Sequence, residues 1–266
     1  MKKNILLLLM LFVIATVSCT ENGVDEKPDV NVENLQKDFM KWWTYYNVQI
    51  NLSSDFIAID NTSGKISKAA FLEYLTSGKY IPVKLMSKDA SKTSYKLFNI
   101  SGQSTNNISS TIKNASITEY EHFKMEGQKF PKFSFTDLDR RSYTSENTKG
   151  KVVVLKCWYI SCVACVAEFP ELNELVDQYK NRDDIVFVSL AFNNEADLRA
   201  FLLKNPFNYA IVSDQKSYLK DILKVNLYPT HFIIDKLGNI VKVVNKAVRL
   251  KSILENEMKT EANKKS

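Results

Sequence analysis

From residue 152 onward the sequence alternates between short apolar runs and amphipathic helical patterns. Strands are predicted where β-branched and aromatic residues cluster, and helices where apolar residues recur every three or four positions. The predicted order is strand 152–158, helix 162–180, strand 185–191, helix 194–204, strand 209–212, a helical turn 217–223, a hairpin of 231–235 with 240–244, and a last helix around 250–258. This alternation predicts an α/β domain over residues 121–266, a mixed sheet flanked by helices.

A smaller region, residues 32–120, precedes this domain. Leu35, Phe39, Trp42 and Tyr46 recur at helical spacing and predict one amphipathic helix. Further predicted elements are strands at 56–60, 80–86 and 95–100, and a helix that Ser67 caps and Gly78 ends. Residues 101–118, rich in Ser, Thr and Asn, are predicted to be a connector with at most one weak helix. We predict a small α+β domain whose aromatic residues (Trp42, Trp43, Tyr45, Tyr46) form core more often than a binding face.

The first eighteen residues have the pattern of an export signal. Two lysines precede an unbroken apolar run, 5–14, that is too short to span a bilayer as a mature helix. The segment ends in small residues and Cys19, which resembles the lipobox of bacterial lipoproteins, although Thr16 stands where Leu is usual. The resemblance implies that residues 1–18 are removed and that Cys19 carries the lipid anchor. The alternative is cleavage nearby that leaves an unmodified cysteine. Residues 19–31 are then a polar tether.

Charge and cysteine usage narrow the class of protein. The 36 Lys and Arg residues and 30 Asp and Glu residues give a net charge of +6, and the two signs are interleaved, so no nucleic-acid partner is predicted. Export would place the chain where disulfides persist. Besides Cys19 and Cys157, the only cysteines are Cys162 and Cys165. A disulfide between Cys162 and Cys165 would close a very short loop and add little stability, so a purely structural role explains this pair poorly.

The cysteine pair lies where a buried strand gives way to a helix. At positions i and i+3 the sulfurs of Cys162 and Cys165 share one helix face and can form a bridge. The free N–H groups and positive dipole end at a helix N-terminus lower the pKa of Cys162, while burial one turn further in keeps the pKa of Cys165 high. One sulfur is therefore poised to attack and the other is held in reserve, which is what thiol–disulfide exchange requires.

Two further residues are candidates beside this pair. Glu168 follows Cys165 by three positions, and a carboxyl whose pKa is raised by burial would accept the thiol proton. The alternative is an exposed glutamate in the first turn that interacts with the helix dipole. Pro170 is expected to kink the helix because it removes a backbone hydrogen bond. Pro229 precedes the hairpin, and its X-Pro bond is not assigned cis or trans from composition.

In sequence order, these features resemble a known family. Residues 128–170 are similar to the TlpA/ResA-like branch of the thioredoxin superfamily, whose members are membrane-anchored bacterial thiol-disulfide oxidoreductases. The matching pieces are Pro131 with Phe133, Lys-Gly-Lys at 149–151, Trp158, C-x-x-C-x-x-E-x-P across 162–170, Tyr-Pro-Thr at 228–230 and Asp-Lys-x-Gly at 235–238. The resemblance covers residues 127–260, and an ordered set of this kind is far more specific than C-x-x-C alone.

The resemblance implies a thioredoxin-like fold and a role for each site residue. Cys162 would attack, Cys165 would resolve the mixed disulfide, Glu168 would be the buried acid near Cys165, and Pro229 would be cis and pack against the pair. No cofactor is implied. The partners would be protein disulfides or dithiols and a membrane electron donor. The expected location is the cell envelope, lipid-anchored and facing the periplasm.

Several positions depart from the family. Ser161 stands where Trp is usual, and Lys156 occupies the place of an acid or Asn; a buried lysine would favour a nearby thiolate, whereas a snorkelling one would reach water. Cys157 replaces a usual Phe and is expected to be a packing residue. Val163-Ala164 lacks the usual Pro or His, so the direction of electron transfer stays open, with a reductant favoured.

The sequence leaves three alternatives to thiol-disulfide exchange. A zinc site would have only one cysteine pair, Cys157 and two histidines, His122 and His231, to draw on. A peroxiredoxin-type peroxidase would need Thr or Ser three residues before the attacking cysteine, where Tyr159 stands. A non-catalytic lipoprotein would bind a partner through residues 32–120 and use the thioredoxin-like domain as support.

Overall fold

The computed structural model describes residues 27–87, 89, 92–100 and 106–263. The expected signal, Cys19 and most of the expected tether lie outside these residues. The N-terminal region contains helices α1 (Val32–Gln36), α2 (Phe39–Gln49), α3 (Lys68–Thr76) and α4 (Asn106–Met125), and strands β1 (Ile57–Ile59), β2 (Lys65–Ile66), β3 (Tyr80–Lys84) and β4 (Ser94–Asn99). The strands form one sheet in the order β2-β1-β4-β3, in which only the β1–β4 pairing is parallel.

The sequence predicted one helix around Leu35 and Tyr46, but α1 and α2 are separate. Asp38 interrupts them because its extended backbone caps α2 and its carboxylate accepts a hydrogen bond from the N–H of Lys41. Trp42 is fully buried, whereas its neighbour Trp43 is partly exposed, so the aromatic stripe is mostly core.

Residues 101–118 were predicted to be a connector with at most one weak helix, but from residue 106 onward they belong to a long helix. Residues 106–125 form α4, which crosses the expected domain boundary at residue 120. The helix is poor in intrinsic propensity, but Ile108 and Ile112 are fully buried against the N-terminal sheet. Tertiary burial of these two side chains outweighs the Ser, Thr and Asn content. The described end of the expected tether, residues 27–31, also differs from free chain, because Pro28 forms a β-bridge with Leu85.

The C-terminal domain has the predicted alternating order. Its elements are β5 (Ser134–Thr136), β6 (Ser142–Thr144), β7 (Val152–Trp158), α5 (Val163–Ala167), α6 (Phe169–Tyr179), β8 (Ile185–Ala191), α7 (Glu195–Leu202), β9 (Ala210–Val212), a π-helical turn (Tyr218–Ile222), β10 (Thr230–Ile234), β11 (Ile240–Val244) and α8 (Ala247–Asn263). The five-stranded sheet has the order β11-β10-β7-β8-β9. Strands β7, β8 and β9 are parallel, and β10 is antiparallel to both β7 and β11. This is the thioredoxin-like mixed sheet that the sequence predicted; the small β5–β6 hairpin was not predicted.

Strand β7 divides the domain into two cores because successive side chains point to opposite faces of the sheet. Val152, Val154 and Trp158 pack with both cysteines of the pair and with α6 and α8. Val153, Leu155 and Cys157 pack on the other face, against the π-helical turn. All seven residues of β7 are buried. No helix in the described part of the chain is both long and apolar enough to cross a bilayer.

Candidate active site

The cysteine pair lies at the carboxyl end of β7, the central strand of the large sheet. Cys162 is the N-cap of α5, and its Sγ accepts a hydrogen bond from the backbone N–H of Cys165, with N and Sγ 3.2 Å apart. A disulfide joins Cys162 and Cys165. Cys162 is 6% exposed, Cys165 is 0% exposed and the intervening Val163 is 83% exposed. A partner therefore reaches the bridge from the Cys162 side.

The helix predicted at 162–180 is broken into α5 and α6. Helix α5 has five residues, Glu168 ends it, and Pro170 lies in the first turn of α6. Proline is tolerated there because the first N–H groups of a helix have no intrahelical acceptor. The kink expected at Pro170 is present. Fewer aligned peptide dipoles stand directly behind Cys162 than a single long helix would supply.

Glu168 lies at the centre of a buried cluster of polar groups. Its Oε2 is 2.6 Å from the Nζ of Lys156 and 3.0 Å from the Nε2 of His231. Its Oε1 accepts a hydrogen bond from the backbone N–H of Ala247, with N and Oε1 2.8 Å apart. Lys156 and His231 are fully buried, and 14% of the Glu168 side chain is exposed. Three donors from three different elements therefore converge on one carboxylate.

Strand register brings these groups together. Lys156 on β7 is directly opposite His231 on β10 and directly opposite Ser189 on β8. Residues that face each other across neighbouring strands point to the same side of the sheet. All three side chains therefore point to the side on which Glu168 lies. The pairings are distant in the chain, so no local sequence pattern specifies them.

The charges of the cluster are coupled. Burial raises the pKa of Glu168, but its hydrogen bond with His231 and the positive charge of Lys156 together have the larger effect and lower the pKa to about 2. Burial, with the Lys156 charge, lowers the pKa of His231 to about 4. Burial also lowers the pKa of Lys156, and Glu168 acts against that shift. At neutral pH the cluster is a Lys156–Glu168 ion pair with a neutral histidine whose Nε2–H donates to the carboxylate.

Two sequence-based expectations about this cluster were wrong. A carboxyl of raised pKa was expected at Glu168, but the nearby cation reverses the effect of burial. Snorkelling of Lys156 to water was left open, but its side chain is enclosed and paired with Glu168. The signal that could have shown this pair is one lysine within a strand that is otherwise wholly apolar, since a buried charge needs a partner. The contacts of His231 and Ala247 with Glu168 were not foreseen.

The fourth cysteine belongs to the other core. Cys157 is a free thiol, fully buried, and its side chain is on the opposite face of β7 from Lys156. Burial raises the pKa of the Cys157 thiol. It is therefore a packing residue, as the sequence indicated. Among the described residues, no group of three or more His, Cys, Asp and Glu side chains could hold a metal ion.

Pro229 immediately precedes β10. The Tyr228–Pro229 peptide bond is cis, and Pro229 is buried. Its carbonyl accepts a hydrogen bond from Asn245 Nδ2 at 2.7 Å. The ring of Tyr228 makes edge contacts with Tyr159, which follows β7, and with Phe192, which follows β8. Aromatic packing therefore joins the loops after β7 and β8 to the segment before β10, at the sheet end that carries the cysteines.

The C-terminal domain matches proteins of known family. A model of the AhpC/TSA family matches residues 126–243. The thiol-disulfide oxidoreductase ResA of Bacillus thuringiensis subsp. konkukian is 29% identical over 137 residues, which are 51% of this chain and 79% of the relative. The thioredoxin-like protein YneN of Bacillus subtilis is 29% identical over 135 residues, 50% of this chain and 78% of the relative.

Solved structures similar to this chain also cover about half of it. A putative thiol:disulfide interchange protein DsbE from Chlorobium tepidum matches 51% of this chain and 96% of its own length, with a TM-score of 0.45 and 24% identity. The thioredoxin domain of a thiol-disulfide oxidoreductase from Bacteroides vulgatus matches 49% of this chain and 96% of its own length, with a TM-score of 0.45 and 23% identity.

The sheet order, the family model and these relatives together support a TlpA/ResA-like domain of the thioredoxin superfamily in the C-terminal part of the chain. The relatives align with about half of the chain, and the family model begins at residue 126.

Proposed function

We propose that the protein is a membrane-anchored thiol-disulfide oxidoreductase of the cell envelope that reduces protein disulfides through Cys162 and Cys165. The observation that carries the proposal is the unequal exposure of the two bonded cysteines, 6% for Cys162 and 0% for Cys165. A substrate sulfur can meet Cys162 while Cys165 lies behind it. Val163, between the two cysteines and 83% exposed, gives an unfolded or flexible substrate an apolar side chain to contact.

The exchange proceeds in two balanced steps from the dithiol form. The Cys162 thiolate attacks one sulfur of a substrate disulfide, forms a mixed disulfide and displaces the other substrate sulfur as a thiolate. Cys165 then attacks Cys162 Sγ, its proton passes to a departing substrate thiolate, and the second substrate sulfur leaves. The substrate gains two electrons and becomes a dithiol, while the enzyme is oxidised to the Cys162–Cys165 disulfide. A dithiol donor must reduce this bridge before the next cycle.

Glu168 and Pro229 complete the proposed site. Glu168 lies three residues after Cys165, and its negative charge disfavours a second anion there, so Cys165 remains a protonated thiol until the mixed disulfide forms. Pro229, immediately before β10, would border the pair and shape the groove that receives the substrate chain. Both roles rest on the residue positions described above and on the family resemblance.

The location follows from the start of the sequence. Cys19, after an export-type segment, would carry acyl chains that hold the catalytic domain at a membrane and facing the periplasm. A membrane electron donor would return two electrons to the bridge. The reducing direction is supported by Glu168, because a carboxylate near Cys165 destabilises the thiolate and thus favours the oxidised form of the enzyme, which makes the dithiol a stronger reductant.

Cysteine variants test the proposal. We expect Cys162→Ser to abolish catalysed reduction of insulin in an assay with dithiothreitol as the electron donor, because no attacking thiolate remains. Cys165→Ser should trap a covalent adduct with a disulfide substrate, because the mixed disulfide then lacks its resolving thiol. Cys157→Ser is the matched control and should retain turnover. Unchanged insulin reduction in Cys162→Ser, or no adduct in Cys165→Ser, would refute the assigned order of attack.

A binding function is the second candidate, favoured by one feature of the N-terminal domain. Met40 and Val48 on α2 are 62% and 70% exposed and line a shallow groove with Val30 and Leu35. A partner-binding lipoprotein would lose partner capture in a Met40→Ser/Val48→Ser variant, whereas the cysteine variants would still bind. The oxidoreductase proposal predicts that this double variant still reduces insulin.

A further inference from the structure

The first turn of α8 contacts the candidate active site. The backbone N–H of Ala247, the first residue of α8, donates to Oε1 of Glu168 at 2.8 Å. The carbonyl oxygen of Lys246 accepts hydrogen bonds from the N–H groups of Arg249 and Leu250, so Lys246 is the last residue before the helix. The Glu168 carboxylate thus lies at the positive end of a 17-residue helix and takes one of its free N–H groups.

The same turn contacts the N-terminal domain. Arg249 donates from Nη1 to Oε1 of Glu119 on α4 at 3.2 Å and from Nη2 to the backbone oxygen of Ile50 after α2 at 3.0 Å. Only 15% of the Arg249 side chain and 17% of the Glu119 side chain are exposed. Lys246 Nζ lies 3.2 Å from Oδ1 of Asn47 on α2. A largely buried guanidinium that reaches two acceptors on two elements fixes its backbone more firmly than a surface ion pair.

We propose that the N-terminal domain is a positioning element for the redox pair: through Arg249 it holds the first turn of α8, and the N–H of Ala247 in that turn holds Glu168 beside Cys165. The inference rests on the proposed function and deepens it, because it assigns residues 27–120 a role in setting how strongly the dithiol reduces. The N-terminal domain is then part of the redox machinery rather than a separate module.

The position of Glu168 matters because it sets the charge next to the inner sulfur. Residues three apart at this helix end are neighbours, so the carboxylate is close to Cys165. A carboxylate held there disfavours the Cys165 thiolate. If Oε1 of Glu168 loses the N–H of Ala247, only the Oε2 contacts with Lys156 and His231 remain and the carboxylate is less firmly placed. The Cys165 thiolate then forms more easily, the dithiol form is stabilised and the equilibrium shifts towards reduced enzyme.

Ala247→Pro removes the donor with little harm to the helix. Proline has no N–H and suits the first position of a helix, where its fixed φ is already helical. At an alkaline pH that populates the Cys165 thiolate, we expect the Cys165 pKa to fall and the equilibrium constant for reduction of the full-length protein by dithiothreitol to increase about threefold. At about 30 mV per tenfold change, this increase corresponds to a shift of about 15 mV. An equilibrium constant equal to that of the unmodified protein would overturn the contact with Glu168 as a positioning element.

A double variant tests the contribution of the N-terminal domain. Glu119→Gln/Arg249→Met removes both charges together, so that neither is left buried alone. We expect it to shift the same equilibrium constant in the same direction. Glu126→Gln/Lys242→Met is the matched control, because that ion pair, 2.6 Å long, joins the residue after α4 to β11 rather than to α8. It should lower stability and leave the equilibrium constant unchanged.

Combining the variants shows whether the two effects share one route. If Arg249 acts through Ala247, the Glu119→Gln/Arg249→Met changes add nothing to the equilibrium constant in an Ala247→Pro background. Independent, additive shifts would overturn the inference, as would an equal shift in the β11 control. Failure of the proposed function itself is distinguishable, because it appears as insulin reduction that survives Cys162→Ser, whereas these experiments measure only the equilibrium of the pair.

Discussion

Replacing Glu168 by glutamine should reveal how much of the fold depends on the buried ion pair. The substitution keeps the shape of the side chain and removes its charge. Lys156, 0% exposed and bonded to Glu168 Oε2 at 2.6 Å, then has no anion to neutralise it. The lysine must either remain charged in the core or release its proton.

Either outcome costs several kilocalories per mole. Deprotonating a lysine at pH 7 costs about 4 to 5 kcal/mol, given its ordinary pKa near 10.4. Removing one partner of a buried pair generally costs about 3 to 5 kcal/mol. The glutamine oxygen can still accept one hydrogen bond, so we expect a loss of about 3 kcal/mol in the free energy of unfolding. Lys156→Met/Glu168→Gln should recover most of it, because no buried charge remains.

Urea unfolding of the oxidised protein at pH 7 and pH 9.5 measures these values, with Glu174→Gln, an exposed position on α6, as the control. Burial already lowers the folded-state pKa of Lys156, and loss of Glu168, which acts against that shift, lowers it further. The unfolded state therefore binds more protons in this range, and the penalty must shrink as the pH rises. A Glu168→Gln loss no larger than the control, or a penalty that grows with pH, would refute the buried-pair reasoning.

Three further results are expected. The only two histidines, His122 and His231, are buried, and burial lowers their pKa values to about 4. The unfolded state therefore binds more protons between pH 6.5 and pH 4, and the free energy of unfolding should fall as the pH is lowered through that range. Each His→Gln variant should show a smaller fall in urea midpoint over this range, and a fall as large as that of the unmodified protein in both variants would contradict the prediction. Cys157 should resist iodoacetamide in native Cys19→Ser protein and react on unfolding, as peptide mass mapping would show; rapid native labelling would exclude its burial. Gly78→Ala should lower the free energy of unfolding, measured in urea, by about 2 kcal/mol, which is more than the loss in Gly127→Ala. Both residues have positive φ, but only at Gly78 would an added Cβ lie 2.9 Å from a carbonyl oxygen of α4. Equal losses in the two variants would argue against this clash.

Local patterns were sufficient for most of the C-terminal fold. Strands β7 and β8 have the predicted bounds because each is a mainly apolar run of seven residues, rich in β-branched side chains. Asn194 caps α7, since its side chain accepts the N–H of Asp197. For α4 the local pattern indicated no more than a weak helix. Its stability comes from Ile108 and Ile112 packing on a sheet whose strands lie elsewhere in the chain.

The candidate site was predictable to the extent that its residues are close in sequence. Cys162, Cys165 and Glu168 belong to one motif, and the motif itself suggested that they act together. The partners of Glu168 come from β7, β10 and α8, and the β7–β10 register and the start of α8 bring them together. Neither feature leaves a local signal. Their effect is nonetheless large, since it turns the pKa of Glu168 in the opposite direction from the one that burial alone gives.

The sign of that shift also explains how two adjacent sulfurs can differ in acidity. Lys156 and Glu168 together carry no net charge, and His231 is neutral, so the core behind the disulfide is balanced while Cys165 holds its proton. A thiolate at Cys165 would leave that enclosed core with a net negative charge, which burial disfavours. Cys162, at the surface end of the bridge, carries no such restriction. We therefore expect a difference in acidity between the two thiols to depend on an anion that keeps its charge, and not on a carboxyl group that accepts a proton.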